Sequence, residues 1–341
     1  MTIQTPQVPG VVTRADMDAT ADTIAALQLH SGMICWFPGG HTDPWNHVEA
    51  AMALSTTGRF AAAEAAYRWL ADIQASDGSW HNYYVADGVE DHKIDTNTVA
   101  YIATGVWHHW LASGDRRFVD TYFDTVCRAI DFVLELQTPR GEVIWARRPD
   151  TMPWDYALLT GSSSISHSLA CAASLSELCG DLARAERWRR ARQRLVDVIA
   201  NQPGAFEPKE RWAMDWYYPV LAGAITGDDG LKRMLDQWDK FVMPNQGVCC
   251  VSDQPWVTAA ETAEATIALL AVGEADQALN LFRWAQSMRD DDGSYFTGLV
   301  HPELVNYPEG ERSAYSGAAM ILAADAIEGA NPTSTLFTTH P

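Results

Sequence analysis

The chain has 341 residues, with 24 Lys and Arg against 44 Asp and Glu, so its formal net charge at pH 7 is −20. This charge argues against nucleic acid as a partner, because binding a polyphosphate backbone needs clustered basic side chains. The sequence contains neither a signal-peptide pattern nor a run of roughly 20 apolar residues, so we expect no membrane partner. Its six cysteines form no CxxC pair, which indicates free thiols in a reducing, cytoplasmic location.

Two kinds of helical segment alternate along the chain. The charged, amphipathic segments are 14–30, 58–75, 115–137, 181–200, 229–243 and 274–288. The segments rich in Ala, Ser, Gly and Thr are 44–54, 96–111, 162–179, 213–226, 257–272 and 313–328. A helix with a charged stripe suits an outer wall, whereas a helix without one belongs inside. The alternation therefore predicts six outer and six inner helices.

A short repeat marks the ends of the charged segments. A Gln is followed by a Gly and then by an aromatic residue in 27–36, 73–80 and 136–145, and more loosely in 285–296. Internal repetition of this kind is typical of architectures built from one unit, and no Gly- or Pro-rich linker interrupts the series. We predict an all-α (α/α)6 barrel that forms a single domain over 1–341, with irregular ends at 1–12 and 331–341. Strands are expected only as short pairings in the loops.

Two inner segments narrow the interpretation. "HTDPWNHVEAAMAL" (41–54) opens the first and "WVTAAETAEATIALL" (256–270) the fifth. With the predicted architecture, they resemble an actinobacterial group of (α/α)6 proteins often labelled prenyltransferase-like, which includes mycobacterial methylmannose polysaccharide hydrolases. The resemblance implies an endo-acting α-mannoside hydrolase. Since most (α/α)6 glycosidases invert, it also implies a water molecule between two catalytic carboxyl groups.

Polar and aromatic residues concentrate where the inner segments begin. If these helices start at one rim, their first residues face a common cleft. The fourteen tryptophans, many of them beside Gly, Asp or His, add aromatic planes that suit the apolar face of a sugar ring. We predict that the substrate is bound by Trp36, His41, Trp45, Asn46, Trp80, His81, Asp95, Asn97, Trp145, Trp154, Asp155, Asp215, Trp216, Trp256 and Glu264.

Glycoside hydrolysis needs one protonated and one ionised carboxyl group. We predict that Asp43 and Glu261 are this pair. Glu261 lies in the first turns of an apolar helix, where burial favours the protonated form and suits a general acid. Asp43 precedes a helix whose positive end favours its ionised form, which suits a general base.

Structural interpretations of the same carboxyl groups stay open. Asp43 before Pro44 fits a plain helix N-cap. Glu261 and Glu264, one turn apart, could pair with basic neighbours. Asp155 and Asp215 could also be caps, or either could replace Asp43 as the base.

Other functions are compatible with the predicted fold. A prenyltransferase or terpenoid cyclase would need basic residues for a diphosphate, whereas the predicted rim is acidic. A non-catalytic glycan-binding protein would need the tryptophans but no carboxyl pair. An (α/α)6 sugar epimerase would use paired histidines, and His41, His81 and His92 lie near one another, with His301 farther along. The sequence shows no metal-ligand cluster, so we expect no cofactor, and it leaves the oligomeric state open.

Overall fold

The computed structural model describes residues 3–149 and 152–339. Its helices are α1 (Arg14–Ala26), α2 (Pro44–Thr56), α3 (Phe60–Ile73), α4 (Thr96–Ala100), α5 (Ile102–Ser113), α6 (Arg116–Glu135), α7 (Leu159–Leu178), α8 (Leu182–Asn201), α9 (Ala213–Leu221), α10 (Gly227–Asp236), α11 (Trp238–Phe241), α12 (Ala259–Ala271), α13 (Ala275–Ala285) and α14 (Ala314–Glu328). Each of the twelve segments predicted from sequence contains a helix, and the second inner and fifth outer segments are each split in two.

Six inner helices close a ring. Helix α2 packs on α5, α5 on α7, α7 on α9, α9 on α12, α12 on α14, and α14 again on α2. Inner helices carry small side chains that are buried on all faces, as in α7, whereas outer helices such as α6 bury one stripe. This arrangement confirms the predicted (α/α)6 barrel. Among the described residues, no helix combines the length and apolar character needed to cross a membrane.

The loops differ in length at the two ends of the barrel. Short connections such as 57–59, 114–115 and 272–274 run from an inner helix to the next outer helix. Long connections such as 27–43, 74–95 and 286–313 run from an outer helix to the next inner helix. The tight hairpins therefore pair each of the first five inner helices with the outer helix that follows it in the chain. All long loops gather at the end where the inner helices begin, which we call the mouth.

Within the described residues, nine short strands lie in these long loops. They are β1 (Tyr83–Val85), β2 (Gly88–Asp91), β3 (Ile94–Asp95), β4 (Ala146–Arg147), β5 (Val242–Met243), β6 (Gly247–Val248), β7 (Trp256–Thr258), β8 (Gly298–Val300) and β9 (Val305–Asn306). The antiparallel pairs are β1–β2, β3–β4 and β5–β6, and β7, β8 and β9 form a three-stranded antiparallel sheet. In the β3–β4 pair Asp95 lies opposite Ala146, which ties the second long loop to the third.

The Gln-to-Gly repeat has a physical basis in the turn after each outer helix. The Gln74 side-chain amide donates to the carbonyl of Gly78 at 2.9 Å and to that of Thr125 in α6 at 3.0 Å. Gly78 has a φ of +91°, and a Cβ there would lie 2.3 Å from the Arg128 carbonyl oxygen. Each Gln therefore joins its own turn to the next outer helix, and the glycine permits the close approach.

The other copies follow the same rule to different degrees. Gln28 donates to Gly32 and Ala62, and Gln137 donates to Gly141 and Ala191, with the same spacing of four residues. The loose fourth copy differs, because the Gln286 amide bonds Phe282 within its own helix. The copies that match the repeat in sequence therefore make the same contacts in their turns, whereas the loose copy does not.

The C-terminal segment crosses the end of the barrel opposite the mouth. Asp325, in the last turn of α14, accepts hydrogen bonds from Asn331 Nδ2 at 2.7 Å and Thr333 Oγ1 at 2.6 Å. Farther along, the Leu336 carbonyl lies 3.1 Å from His167 Nε2 in α7, and Phe337 stacks on the same ring. Helices α14 and α7 are the sixth and third inner helices, so the segment spans the closed end.

Candidate active site

Asp43 is the N-cap of α2 and lies at the mouth. Its Oδ1 accepts hydrogen bonds from the backbone N–H groups of Trp45 and Asn46 at 2.8 and 3.0 Å. Its Oδ2 accepts from Trp36 Nε1 at 3.1 Å and from Asn46 Nδ2 at 2.6 Å. The capping interpretation is therefore correct for one oxygen, while the second oxygen is held by side chains of the mouth.

Burial sets the charge of Asp43 more than the helix terminus does. The residue is 5% exposed, and burial raises its pKa to about 6 against the opposing effect of its hydrogen bonds. Asp43 is therefore mostly ionised at pH 7 but takes up a proton just below neutrality. The backbone N–H groups of the helix end favour the ionised form, as expected, but burial has the larger effect on the pKa.

Glu49 is a buried carboxyl group that the sequence analysis missed. It is the only charged residue of α2, and it lies six residues after Asp43. Its Oε1 accepts from Tyr101 OH at 2.8 Å and Trp45 Nε1 at 3.2 Å, whereas its buried Oε2 has no partner in the part of the chain that the structure describes. Burial, reinforced by the charge of Asp43, raises the pKa of Glu49 to about 7. A lone charge in an otherwise uncharged inner helix was the signal in the sequence.

The two glutamates of α12 differ in depth. Glu264 is 3% exposed and accepts hydrogen bonds from Tyr315 OH at 3.1 Å and from Tyr217 OH. Burial, followed by repulsion from Glu49, raises the pKa of Glu264 well above its ordinary value. Glu261, in the first turn, is half-buried. The expectation that Glu261 is the buried carboxyl group is wrong, since that description fits Glu264, and tyrosines rather than basic residues are the partners of Glu264.

Four carboxyl groups form a series across the mouth, which we call the carboxyl cluster: Asp43, Glu49, Glu264 and Glu261. Asp43 acts electrostatically on Glu49, Glu49 acts on Glu264, and Glu261 also acts on Glu264. Like charges at this spacing disfavour simultaneous ionisation. The cluster therefore holds both protonated and ionised carboxyl groups near neutral pH, as acid–base chemistry requires.

The floor of the mouth is polar on all sides. Burial, followed by the charges of Glu264 and Glu49, raises the pKa of Tyr218 well above its ordinary value, and Ser164 lies beside its hydroxyl. Six polar residues, one from each position in the ring of inner helices, lie at this floor. We call them the central ring: Glu49, Tyr101, Ser164, Tyr218, Glu264 and Tyr315.

Asp95 repeats the arrangement of Asp43 at the second inner helix. It is the N-cap of α4, its Oδ1 accepts from the backbone N–H of Asn97, and Trp145 Nε1 donates to its Oδ2. Trp145 also lies 4.6 Å from Trp154, whose ring is parallel to that of Tyr156 at 6.2 Å. The structure therefore brings the predicted residues Asp95, Asn97, Trp145 and Trp154 together on one side of the mouth.

Asp155 and Asp215 lie outside the carboxyl cluster. Asp215 accepts from Thr160 Oγ1 at 2.6 Å, and burial raises its pKa. Asp155 is exposed. Both line a groove of about 740 Å³ beside the third and fourth long loops, together with Tyr156 and Trp212. A second groove of about 690 Å³, next to Phe37 and the sixth long loop, lies on the other side of the ring.

Two predicted stacking residues are packing residues instead. Trp80 is 1% exposed, and its Nε1 donates to the Leu70 carbonyl of α3. Trp216 is also 1% exposed, stacks on Phe241, and donates to the Arg233 carbonyl. Neither ring offers a face to a ligand, so both assignments are corrected.

The predicted histidines lie at the edge of the mouth. His41 Nδ1 is 2.8 Å from Glu90 Oε2, and its ring stacks on Tyr83 at 4.5 Å. His81 Nδ1 is 3.2 Å from the His92 carbonyl oxygen. Trp256 is half-buried and donates to the Tyr307 carbonyl at 3.1 Å. These contacts place the histidines with the β1–β2 hairpin and Trp256 with the β7–β8–β9 sheet.

Several buried polar atoms near the mouth have no hydrogen-bond partner within residues 3–149 and 152–339. They share a location at the N-cap or in the first two turns of inner helices: Glu49 Oε2, Asn97 Oδ1, Ser162 Oγ and Thr258 Oγ1. Leaving such an atom unpaired costs about 1–3 kcal/mol. A ligand with many hydroxyl groups would satisfy both the donors and the acceptors of this set.

Within residues 3–149 and 152–339, no group of three or more His, Cys, Asp or Glu side chains is placed to hold a metal ion. Asp253, near Cys249, instead pairs with Arg211 at 2.7 Å.

No family model matches the chain. Over 332 residues the chain is 47% identical to the MMP endo-(1,4)-3-O-methyl-alpha-D-mannosidase of Mycolicibacterium hassiacum, covering 97% of this chain and 91% of that protein. Among solved structures, a wild-type glycosidase matches with a TM-score of 0.72 at 13% identity, over 92% of this chain and 96% of that chain. A D-mannose isomerase matches with a TM-score of 0.69 at 12% identity, over 95% and 99%. At these identities the structural likeness concerns the fold alone.

Proposed function

Because the chain belongs to the glycosidase family of the MMP endo-(1,4)-3-O-methyl-alpha-D-mannosidase, we propose that it hydrolyses an O-methylated α-mannoside polysaccharide at internal bonds. The observation that carries this proposal is the carboxyl cluster at the mouth, surrounded by unpartnered buried polar atoms. The cluster supplies the acid and base of glycoside hydrolysis, and the polar atoms suit a ligand rich in hydroxyl groups.

Asp43 and Glu261 are the proposed catalytic pair. Glu261 is half-buried, so it can reach a glycosidic oxygen in the mouth, whereas Glu264 is enclosed by tyrosines. Glu261 gives its proton to that oxygen as the bond to the anomeric carbon breaks. Asp43 takes a proton from the water that attacks the same carbon from the opposite face. One water is consumed, and the new reducing end has inverted anomeric configuration.

The base role requires a change in the hydrogen bonds of Asp43. Its two oxygens already accept four hydrogen bonds, which fills their lone pairs. The Asn46 side-chain amide is half-buried and can rotate away, whereas the backbone donors are fixed by α2. We expect the attacking water to take the place of the Asn46 amide on Oδ2.

The grooves beside the mouth support action on a polymer. One groove lies next to the third and fourth long loops, and the other lies next to the first and sixth. The two grooves are therefore on opposite sides of the ring of inner helices. Sugar units on both sides of the broken bond would occupy them. This geometry fits cleavage inside a chain rather than at its end.

The same observations support two subsidiary proposals. One closed ring of inner helices and one mouth support a single catalytic domain. All six cysteines are free and five of them are buried, which supports residence in a reducing compartment such as the cytoplasm.

Product analysis on an α-(1,4)-linked 3-O-methylmannose oligosaccharide tests the function. We expect new reducing ends and fragments of intermediate length. An altered sugar at unchanged chain length would instead identify an isomerase or epimerase, a chemistry that the fold of D-mannose isomerase also supports. Binding without any chemical change would identify a glycan-binding protein.

A further inference from the structure

Glu49 is held rigidly at one oxygen only. Tyr101 OH and Trp45 Nε1 both donate to Oε1, and both residues belong to the inner ring of helices. The two donors are themselves in edge-to-face contact at 5.7 Å, and Trp45 makes a similar contact with Tyr218 at 5.6 Å. The carboxyl plane of Glu49 is therefore fixed, and so is the direction of its second oxygen.

The second oxygen needs a partner that is both donor and acceptor. Since Oε1 already accepts two hydrogen bonds, any proton on Glu49 resides on Oε2. The pKa of Glu49, raised to about 7 by burial, means that both protonation states occur near neutral pH. Oε2 is therefore a donor in one state and an acceptor in the other. A hydroxyl group satisfies both states, whereas an ammonium group or a carbonyl group satisfies one.

The position of Glu49 indicates which hydroxyl group it meets. Glu49 stands between Asp43 and Glu264 in the carboxyl cluster, and half-buried Trp45 and Tyr315 lie at the floor of the mouth around it. Ser164, beside the Tyr218 hydroxyl, belongs to the same central ring. A sugar ring whose anomeric carbon lies at the catalytic pair would present its hydroxyl groups to this floor.

We propose that Glu49 is a sugar-binding residue whose Oε2 hydrogen-bonds a free hydroxyl group of the mannose unit at the cleavage position. This inference rests on the proposed function and names a contact within the same site. A methyl ether cannot donate a hydrogen bond, so the contact selects a position that is not methylated. On a 3-O-methylated mannoside that position is a hydroxyl group other than the one on C3.

The test measures affinity for matched ligands by calorimetry. The probes are an α-(1,4)-linked 3-O-methylmannose oligosaccharide and its 2-deoxy and 6-deoxy analogues, bound to Asp43→Asn protein, in which cleavage is slow compared with the binding measurement. We then add Glu49→Gln, which keeps an acceptor for Tyr101 and Trp45 but replaces Oε2 by an N–H donor. At pH 8, where Glu49 is mostly ionised, we expect affinity for the parent ligand to fall about fivefold, because a neutral hydrogen bond from the amide to the hydroxyl oxygen replaces a charge-assisted one. For one deoxy analogue, Glu49→Gln should change affinity by less than about twofold.

Two further variants guard against a trivial result. Tyr101→Phe removes the hydroxyl group that orients Glu49 and should show a smaller loss of the same kind, even if Glu49→Gln fails to fold. Asp325→Asn changes a buried carboxyl group at the closed end and should leave every affinity unchanged. A purely structural role for Glu49 would lower the melting temperature and reduce all affinities equally, which overturns the inference.

The failure of the inference and of the proposed function are distinguishable. Parent-ligand binding that is insensitive to Glu49→Gln and Tyr101→Phe would overturn the inference alone. If protein with native Asp43 binds the parent ligand without cleaving it, the hydrolase proposal fails while the Glu49 contact is still measured. Absence of binding to every probe would overturn both.

Discussion

Glu49 and Glu264 are buried carboxyl groups that repel each other from either side of Tyr315 in the central ring. Each is held by tyrosine hydroxyls, Glu49 by Tyr101 and Glu264 by Tyr217 and Tyr315. Burial and their mutual repulsion raise the pKa of Glu264, and burial raises that of Glu49 from 4.5 to about 7. The folded protein therefore retains protons here that the unfolded chain releases.

This relationship predicts how stability depends on pH. A carboxyl group with a raised pKa in the folded state stabilises the fold at low pH, and that contribution is lost as pH rises through the folded value. For Glu49 we expect the free energy of unfolding to fall between about pH 4.5 and 7, because the unfolded chain ionises first. Urea unfolding at several pH values measures this slope, and Glu49→Gln should reduce it. Glu264, whose pKa burial raises well above its ordinary value, and Asp43 and Asp325, whose pKa values burial raises to about 6, leave a smaller slope in the variant. An unchanged slope in folded Glu49→Gln protein would contradict the assignment.

Replacing either proposed catalytic carboxyl group by its amide removes proton transfer while keeping shape. We expect Asp43→Asn and Glu261→Gln each to lower kcat by about 10² to 10⁴. Asp120→Asn, in an exposed position on outer helix α6, is the matched comparison and should retain most activity. Turnover measured with thermal melting separates catalysis from folding. Near-normal turnover in folded Glu261→Gln protein would transfer the acid role to Glu264, which Glu264→Gln then tests.

The stereochemical outcome depends on the separation of the pair. An inverting enzyme places its two carboxyl groups roughly 6.5 to 9.5 Å apart, whereas a retaining enzyme places them about 5 to 5.5 Å apart. We predict inversion, so proton NMR during the first turnovers should show the anomer opposite to the substrate. Initial formation of the same anomer would require a covalent intermediate on Asp43 and would rule out the water-mediated scheme.

Two tryptophans offer a direct test of which rings meet the substrate. Trp154 is half-buried and parallel to Tyr156, so Trp154→Ala should raise KM with little effect on stability. Trp80 is buried and bonded to Leu70, so Trp80→Ala should reduce the free energy of unfolding by about 3–5 kcal/mol. Steady-state kinetics and chemical denaturation on both variants provide the comparison. A rise in KM for Trp80→Ala without loss of stability would reinstate its predicted ligand role.

The Gln repeat predicts a stability effect remote from the mouth chemistry. Gln74→Ala removes two hydrogen bonds to Gly78 and Thr125 and leaves both carbonyl groups to find other partners, so we expect a loss of about 1–3 kcal/mol. Gln193, whose amide bonds only the exposed Asp197, is the control, and Gln193→Ala should change stability by less than about 0.5 kcal/mol. Equal effects from the two variants would show that the turn contact contributes nothing special.

Sequence periodicity was sufficient for the barrel because each inner helix differs from each outer helix along its whole length. Periodicity was not sufficient to predict how deeply each side chain along an inner helix is buried. Glu261 and Glu264 are one turn apart, yet one is half-buried at the mouth and the other enclosed by tyrosines from α9 and α14. Those tyrosines are distant in sequence, so no local pattern distinguishes the two carboxyl groups.

Glu49 was missed for a related reason. The argument from the sequence considered only the residues where inner helices begin, whereas Glu49 lies in the second turn and reaches the axis from there. The tryptophans show a second limit of prediction from sequence. Trp80 and Trp145 follow similar repeats, but their side chains lie in different environments. Trp145 lies next to strand β4 and bonds Asp95, while Trp80 turns beneath its loop and bonds α3. The partner of each indole N–H is decided by tertiary contacts.

The C-terminal segment affects how the substrate enters and how the products leave. By joining Asp325 to His167 across the far end, it makes the barrel a cup rather than a tube. A long glycan therefore cannot pass through the barrel from one end to the other. The glycan has to lie across the opening with one sugar unit inside. Both product fragments then have to leave through the same opening by which the intact glycan entered. Departure of one fragment therefore competes with arrival of the next strand, and the width of the opening governs both.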